Sequence, residues 1–222
     1  KAVGKVGLYA EYVAKVCEWA AAQGVRPMLW DDILRRDTER VNMLPRSAVL
    51  VFWNYSGTNE RFDGAKGTVA SPDVQKIERK PDKPWTPEYK VYREAGYDVL
   101  MAPCFTGGGL VPDVTVLAAN CRHLACEAAA HGCLGVAATS WACLFTPFSL
   151  SYHALAALAD AAWNPMPANV ERYSSRRPGV AAEFDRRFCR EFLGLGDDAL
   201  VHALRMVETT AMFAPGGHVF PT

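Results

Sequence analysis

Four short apolar segments alternate along the chain with segments of helical periodicity, and this alternation limits the fold to a small set of architectures. The apolar segments cover residues 25–30, 48–53, 97–102 and 134–139. The second is an uninterrupted apolar run with β-branched residues, which is typical of a strand buried on both faces of a parallel sheet. Alternating strands and helices predict parallel strands joined by right-handed crossovers. Four such units fit either half of an eight-stranded α/β barrel or a complete small doubly wound sheet, and periodicity leaves both open.

Helices are predicted on both sides of these strands. The first covers residues 9–22, where apolar residues recur at helical spacing. Its buried stripe is predicted to comprise Tyr9, Val13, Val16 and Ala20. Residues 54–87 are polar and rich in Gly and Pro, which indicates a long loop. The end of the chain has the pattern of two or three further helices, so we divide the chain into residues 1–165 and a C-terminal helical extension, 166–222.

Three tryptophans stand where predicted strands end. Trp30, Trp53 and Trp141 close the first, second and fourth apolar segments, and polar or turn-forming residues follow each. An indole ring offers a flat apolar surface on which the C–H face of a sugar can stack, and an α/β barrel keeps its active site at the carboxyl ends of its strands. The pattern therefore predicts a saccharide pocket with these rings in its wall, and the alternative is that each ring belongs to the core. The other tryptophans, Trp19, Trp85 and Trp163, are interpreted as packing residues.

Two polar side chains beside these tryptophans are candidates for contacting sugar hydroxyls. Asp31 and Asp32 follow Trp30, but adjacent strand residues point to opposite faces, so they are not expected to converge as an acid/base pair. Asp31 is expected either to reach sugar hydroxyls or to cap the short helix that starts near Ile33. Tyr55 is expected either to donate its hydroxyl to a substrate carbonyl or to be an ordinary loop aromatic.

The charge balance argues against two classes of partner. Lys plus Arg equals Asp plus Glu at 24 each, so no overall field attracts nucleic acid or an anionic membrane. The longest apolar helical stretch, at 150–163, is too short and too polar to span a bilayer. The expected partner is therefore a small-molecule glycan, with no nucleic acid and no membrane, and the oligomeric state stays open.

The sequence gives little support for a cofactor or a metal ion. A Gly-rich run at 107–109 follows a predicted strand but lacks the spacing of a dinucleotide- or phosphate-binding loop. His123, Cys126, His131 and Cys133 are ligand types that lie close together, yet no C-x-x-C pair supports a zinc site. We therefore expect neither a cofactor nor a metal. Seven cysteines without disulfide-scaffold spacing indicate reduced thiols, which favours a cytoplasmic setting.

The strand ends resemble those of family 20 glycoside hydrolases, the β-N-acetylhexosaminidases, and within them the hexosaminidase D-like branch. The segments that carry the resemblance are LYAEYV at 8–13, RPMLWDDIL at 26–34, VFWNY at 51–55, YDVLMAPCFTG at 97–107 and GVAATSW at 135–141. They are similar to the helix before the fifth barrel strand and to the fifth, sixth, seventh and eighth strands, in that order. The resemblance covers about residues 5 to 165. It implies that residues 1–165 are the C-terminal half of a (β/α)8 barrel, followed by extra helices.

The resemblance also implies an activity, the exo-acting removal of terminal β-linked N-acetylhexosamine with a retaining, substrate-assisted mechanism. In that family a glutamic acid protonates the leaving oxygen, and the 2-acetamido carbonyl of the substrate attacks the anomeric carbon. An adjacent aspartate stabilises the oxazolinium that forms. Trp30, Trp53 and Trp141 would line the −1 subsite, and Asp31 and Tyr55 would make polar contacts there.

The chain departs from the family pattern in two places. The catalytic Asp-Glu pair belongs at the end of the fourth strand, so it is expected upstream of Lys1, and no catalytic residue is assigned here. The Tyr-x-Asp that many members carry after the seventh strand is replaced by Cys104, Phe105 and Thr106. As it stands, the chain is expected to be inactive alone. Two alternatives stay open: a non-catalytic carbohydrate-binding half-barrel, and a barrel hydrolase of another glycan specificity.

Overall fold

A computed structural model of the chain describes residues 4–55, 87–106, 114–141, 148–165 and 178–212. The helices are α1 (Gly4–Ala22), α2 (Glu88–Glu94), α3 (Val114–Ala130), α4 (Tyr152–Trp163), α5 (Pro178–Arg187) and α6 (Ala199–Met212). The strands are β1 (Met28–Trp30), β2 (Val49–Trp53), β3 (Asp98–Ala102), β4 (Cys104–Thr106), β5 (Gly135–Val136) and β6 (Thr139–Ser140). Most of the loop predicted at 54–87, the Gly-rich run at 107–109 and Trp85 lie outside the described residues.

A four-stranded parallel sheet in the order β1-β2-β3-β5 forms the centre of the molecule. This confirms the prediction of an α/β fold with parallel strands, and it is compatible with a partial α/β barrel. β2 lies between two partners and is buried along four of its five residues, as its uninterrupted apolar sequence predicts.

Alternation along the strands gives the sheet two different faces. Leu50 and Phe52 of β2 and Val99 and Met101 of β3 point into the largest hydrophobic cluster, together with residues of α1, α2 and α3. The opposite face carries the alternate residues of each strand. Trp53 is the last residue of β2 on that face, so the pleat directs its side chain away from the main core.

The strand predicted at 134–139 is two shorter strands. β5 pairs with β3, and β6 pairs in parallel with β4 in a separate two-stranded sheet. Pro103 lies between β3 and β4, and its carbonyl accepts the Thr139 N–H at 2.8 Å. Because proline has no N–H to donate, Pro103 separates β3 from β4. The pairing continues between β4 and β6, and its register shifts between Cys104 and Thr106.

Helix α1 is confirmed, but its buried face differs from the predicted stripe. Gly7, Ala10, Val13 and Cys17 are buried, whereas Val16 is exposed. The helix carries apolar residues on two faces, so periodicity alone cannot decide which one packs inward. Trp19 lies on the exposed side, and the packing role predicted for it is wrong. The same holds for Trp163, which is 92 % exposed at the end of α4.

The C-terminal helices pack on α3 and α4. Ala118 of α3 and Ala157 of α4 share a hydrophobic cluster with Phe184, Phe188 and Val201. Residues Phe188–Phe192 form one π-helical turn after α5. Within the described part of the chain, no helix combines the length and hydrophobicity needed to cross a membrane.

Candidate functional site

Three aromatic rings meet at the carboxyl ends of β2 and β6. The Tyr55 ring lies between two indoles. Its centroid is 4.8 Å from that of Trp53, with 35° between the ring planes, and 6.2 Å from that of Trp141, with 56° between the planes. Trp53 and Tyr55 are partly buried, and Trp141 is 57 % exposed. We call these three residues the aromatic cluster. Its position at strand ends matches where the sequence predicts a saccharide pocket.

A buried asparagine on α3 holds the backbone between the two rings that follow β2. The Asn120 side chain donates to the Asn54 carbonyl at 2.7 Å and accepts the Cys104 N–H at 3.0 Å. The side chain of Asn54 is buried. Because successive side chains of an extended chain point to opposite sides, Trp53 and Tyr55 lie on the other side of the backbone. The Asn120 amide thus ties the end of β2 to the start of β4.

Trp141 is positioned by the short pair β4 and β6. The backbone N–H of Trp141 donates to the hydroxyl of Thr106 at 2.6 Å, and the hydroxyls of Thr106 and Ser140 are 3.0 Å apart. Thr106 is fully buried, so this anchor is fixed within the fold. The anchored backbone leaves the Trp141 ring with its centroid 6.2 Å from that of Tyr55.

Trp30 lies on the same face of the sheet as Trp53 but outside the aromatic cluster. It is in register with Val51, two residues before Trp53, and strand geometry then separates the two tryptophan Cα atoms by roughly 8 Å. The side chain is 47 % exposed. Of the three tryptophans predicted to line one pocket, the structure brings two together and leaves Trp30 one strand away.

Asp31 is fully buried, in contrast to the expectation that it reaches sugar hydroxyls. Its carboxylate forms an ion pair with Arg35 and accepts the Tyr92 hydroxyl at 3.3 Å, so in this structure no face of it is open to a ligand. The N-cap alternative is wrong as well, since the helical turn Leu34–Arg36 begins after Ile33 and has no side-chain cap.

Burial raises the pKa of Asp31 to about 7, and the positive charge of Arg35 opposes part of that rise. The folded protein therefore keeps a proton on Asp31 at pH values where the unfolded chain, with an ordinary pKa of 3.8, has released it. The stabilisation from this proton is present below about pH 4 and is lost as the pH rises towards 7.

We expect the variant Asp31→Asn to change the pH dependence of stability. Between pH 5 and 7 the unfolding free energy of the original protein should fall relative to that of the variant by up to about 1.4 kcal/mol per pH unit. Urea unfolding at half-unit steps of pH measures both curves. Parallel curves for the two proteins would contradict the raised pKa.

Two polar side chains are considered for contacts with a sugar at the aromatic cluster, the Tyr55 hydroxyl and the Asp32 carboxylate. Burial raises the pKa of the Tyr55 hydroxyl, and hydrogen bonds to it from Thr139 and Trp141 oppose part of that rise, so the phenol stays protonated at neutral pH and keeps a proton to donate. Asp32 is exposed, and its carboxylate can accept. Flat apolar rings with one donor and one acceptor are what recognition of a sugar requires, because a sugar presents C–H faces and hydroxyls together. Exposure favours Asp32 over the fully buried Asp31 for contacts with hydroxyls.

Two positioning residues of the site, Thr106 and Asn120, were not predicted from the sequence. Of the two, only Asn120 leaves a signal. An asparagine in the interior of an Ala-rich helix is intrinsically unfavourable there, which is a reason to look for a specific hydrogen-bonding role. Thr106 acquires its role from partners distant in the chain, Ser140 and Trp141.

Within the described residues, no group of three or more His, Cys, Asp or Glu side chains is arranged to hold a metal ion. His123, which the sequence placed among possible ligands, is buried on α3, and burial lowers its pKa. Comparison of the chain with protein-family models, curated proteins and solved structures found no match.

Proposed function

We propose that this chain is the saccharide-binding part of an exo-acting glycoside hydrolase that removes terminal β-linked N-acetylhexosamine. The observation that carries the proposal is the aromatic cluster, in which Trp53, Tyr55 and Trp141 are in contact where strands β2 and β6 end. Two indoles and a phenol offer stacking surface, and the Tyr55 hydroxyl offers a donor.

The parallel order of the sheet supports a barrel as the complete architecture. In the proposal, β1, β2 and β3 are barrel strands five, six and seven, and the paths of β5 and β6 together form strand eight. An α/β barrel gathers its active site at the carboxyl ends of its strands. The aromatic cluster lies at that end of β2, where a barrel enzyme would hold its substrate.

The proposed chemistry divides between this chain and residues outside it. A glutamic acid would protonate the glycosidic oxygen, so that the aglycone leaves as an alcohol. The acetamido carbonyl oxygen would bond to the anomeric carbon at the same time, and water would later open the oxazolinium with retention. We propose that the Asp-Glu pair for these steps is not in this chain. The aromatic cluster would hold the sugar so that its acetamido group is poised to attack, which reduces the entropic part of the barrier.

Sugar binding by the 222-residue chain is the direct test. The six tryptophans can be replaced by 5-fluorotryptophan and followed by fluorine NMR during titration with N-acetylglucosamine. We expect the Trp53 and Trp141 resonances to shift and the resonance of the solvent-exposed Trp163 to stay in place. Glucose should bind more weakly, because it lacks the acetamido group. Equal binding of both sugars would instead favour a barrel hydrolase of another specificity.

Replacing Trp53 by alanine should weaken binding of N-acetylglucosamine at least tenfold, which corresponds to about 1.4 kcal/mol. The variant removes the ring that stacks on Tyr55, so both a sugar-binding surface and the support of the phenol are lost. Isothermal titration calorimetry measures the affinity, and Trp163→Ala is the matched control with an expected change below twofold. If the two variants bind alike, the sugar does not use the aromatic cluster.

Turnover separates the catalytic proposal from its non-catalytic alternative. The chain alone should bind the sugar without hydrolysing p-nitrophenyl N-acetyl-β-glucosaminide. Hydrolysis by the purified chain would contradict the assignment of the general acid to residues outside it. A longer protein that contains this chain should hydrolyse that substrate, and inactivity on both the gluco and the galacto forms would favour a non-catalytic binding module.

A further inference from the structure

We propose that Arg35 is a positioning residue of the aromatic cluster. Its guanidinium, which is paired with the buried carboxylate of Asp31, sets the orientation of the Trp53 indole. The consequence for sugar affinity rests on the proposed function. The structural part of the proposal concerns the ring alone and does not depend on any ligand.

The contacts of Arg35 link the interior to the cluster in one continuous path. Its Nη2 donates both to the Asp31 carboxylate and, at 3.1 Å, to the carbonyl of Trp53. Its Cζ lies 4.4 Å from the centroid of the Trp53 ring, within the range of a cation–π contact. The backbone and the ring of Trp53 are therefore both held by the same guanidinium.

Asp31 is itself fixed in place, so the guanidinium has a rigid support. The carboxylate is fully buried and accepts the Tyr92 hydroxyl from α2. Arg35 is only 10 % exposed in its side chain, and its Nε has no hydrogen-bond partner among the described residues. Arg35 leaves this donor unused while keeping its Nη2 contacts and its position over the indole.

A change in the orientation of the Trp53 indole would also affect the ring of Tyr55. The Tyr55 ring packs on Trp53 and on Trp141, so a rotation of the Trp53 indole would displace the ring between them. Arg35 would then determine the position of the whole stacking surface without touching a bound sugar.

Arg40 provides a control of matched chemistry. It forms an ion pair with Asp37, three residues before it, at 3.1 Å.

The discriminating substitution is Arg35→Lys. Lysine keeps the positive charge beside Asp31, so the buried carboxylate stays neutralised, but it lacks the planar guanidinium that stacks on an indole. In 5-fluorotryptophan-labelled protein at pH 8, where Asp31 is ionised, we expect the Trp53 resonance to move and the Trp163 resonance to stay. The affinity for N-acetylglucosamine should fall about fivefold to tenfold, while the unfolding midpoint in urea changes little. Arg40→Lys should change none of the three readouts.

The Trp53 resonance tests the positioning role of Arg35, and the affinity for N-acetylglucosamine tests the sugar-binding function. If neither the original protein nor Arg35→Lys binds N-acetylglucosamine but the Trp53 resonance moves in Arg35→Lys, the sugar-binding function fails and the positioning role stands. If the sugar binds and Arg35→Lys leaves both the Trp53 resonance and the affinity unchanged, the positioning role is overturned and the function stands. If Arg35→Lys fails to fold, Asp31→Ala removes the acceptor that holds the guanidinium, and an unmoved Trp53 resonance in that variant overturns the proposal.

Discussion

Replacing Asn120 by leucine should lower the free energy of unfolding by about 2–4 kcal/mol and abolish the order of the aromatic cluster. Leucine has nearly the size of asparagine but can form neither of the two buried hydrogen bonds. The Cys104 N–H would lose its acceptor, and the Asn54 carbonyl would lose this donor. A buried polar group that loses its partner costs roughly 1–3 kcal/mol, and here two are affected at once.

Urea unfolding measures this loss, and fluorine NMR of labelled tryptophans reports the cluster. Because Asn120 holds the residue between Trp53 and Tyr55, we expect their contact to loosen and sugar binding to fall with it. The matched control is Asn42→Leu, since Asn42 is exposed and bonds locally to the Glu39 carbonyl at 3.2 Å. Its expected cost is below about 1 kcal/mol. An equal cost for the two variants would show that the buried bonds of Asn120 are not what stabilises this region.

Replacing Asp185 by alanine should cost about 3–5 kcal/mol and release the C-terminal helices. Asp185 on α5 accepts from Nε2 of His153 on α4 at 2.8 Å and pairs with Arg205 on α6 at 2.6 Å. The carboxylate is buried, so it joins three helices from one point. Removing it leaves the arginine charge without this partner in a region of low dielectric.

The charge states of this cluster follow from its surroundings. Burial opposes ionisation of Asp185, but the hydrogen bond from His153 and the charge of Arg205 together hold its pKa below the usual value. Burial lowers the pKa of His153, against the pull of Asp185. The imidazole is therefore neutral at pH 7 and donates to an ionised carboxylate, while Arg205 carries the compensating charge.

The control for Asp185→Ala lies on the same helix. Glu183 forms an exposed ion pair with Arg186 at 2.7 Å, and water screens such pairs so that they contribute little to stability. Glu183→Ala should therefore leave the urea midpoint nearly unchanged. Hydrogen exchange should show faster opening of α5 and α6 in Asp185→Ala, with the central sheet protected for longer. If all helices and strands lose protection together, the C-terminal helices do not form a separable unit.

Local sequence pattern was sufficient to locate the central strands and the helices that flank them. The apolar run at 48–53 predicts a central parallel strand, and β2 is buried between β1 and β3. The periodicity that predicts a helix at 9–22 corresponds to α1. These features follow from periodicity and composition, which are properties of residues close together in the sequence. The same patterns also placed Trp53 and Trp141 at strand ends, where the aromatic cluster lies.

Pairing between distant segments decided which polar and aromatic side chains of the site are buried and which are available. Adjacent in the chain, Asp31 and Asp32 have opposite environments: the first is fully buried against Arg35, and the second is exposed. A spacing rule separates their faces but cannot say which face the protein covers. The link from Asn120 to Asn54 spans 66 positions, and no local pattern specifies it. Hydrophobic and hydrogen-bonding energies depend on distance in space, so the composition of the site emerges only once the chain has folded.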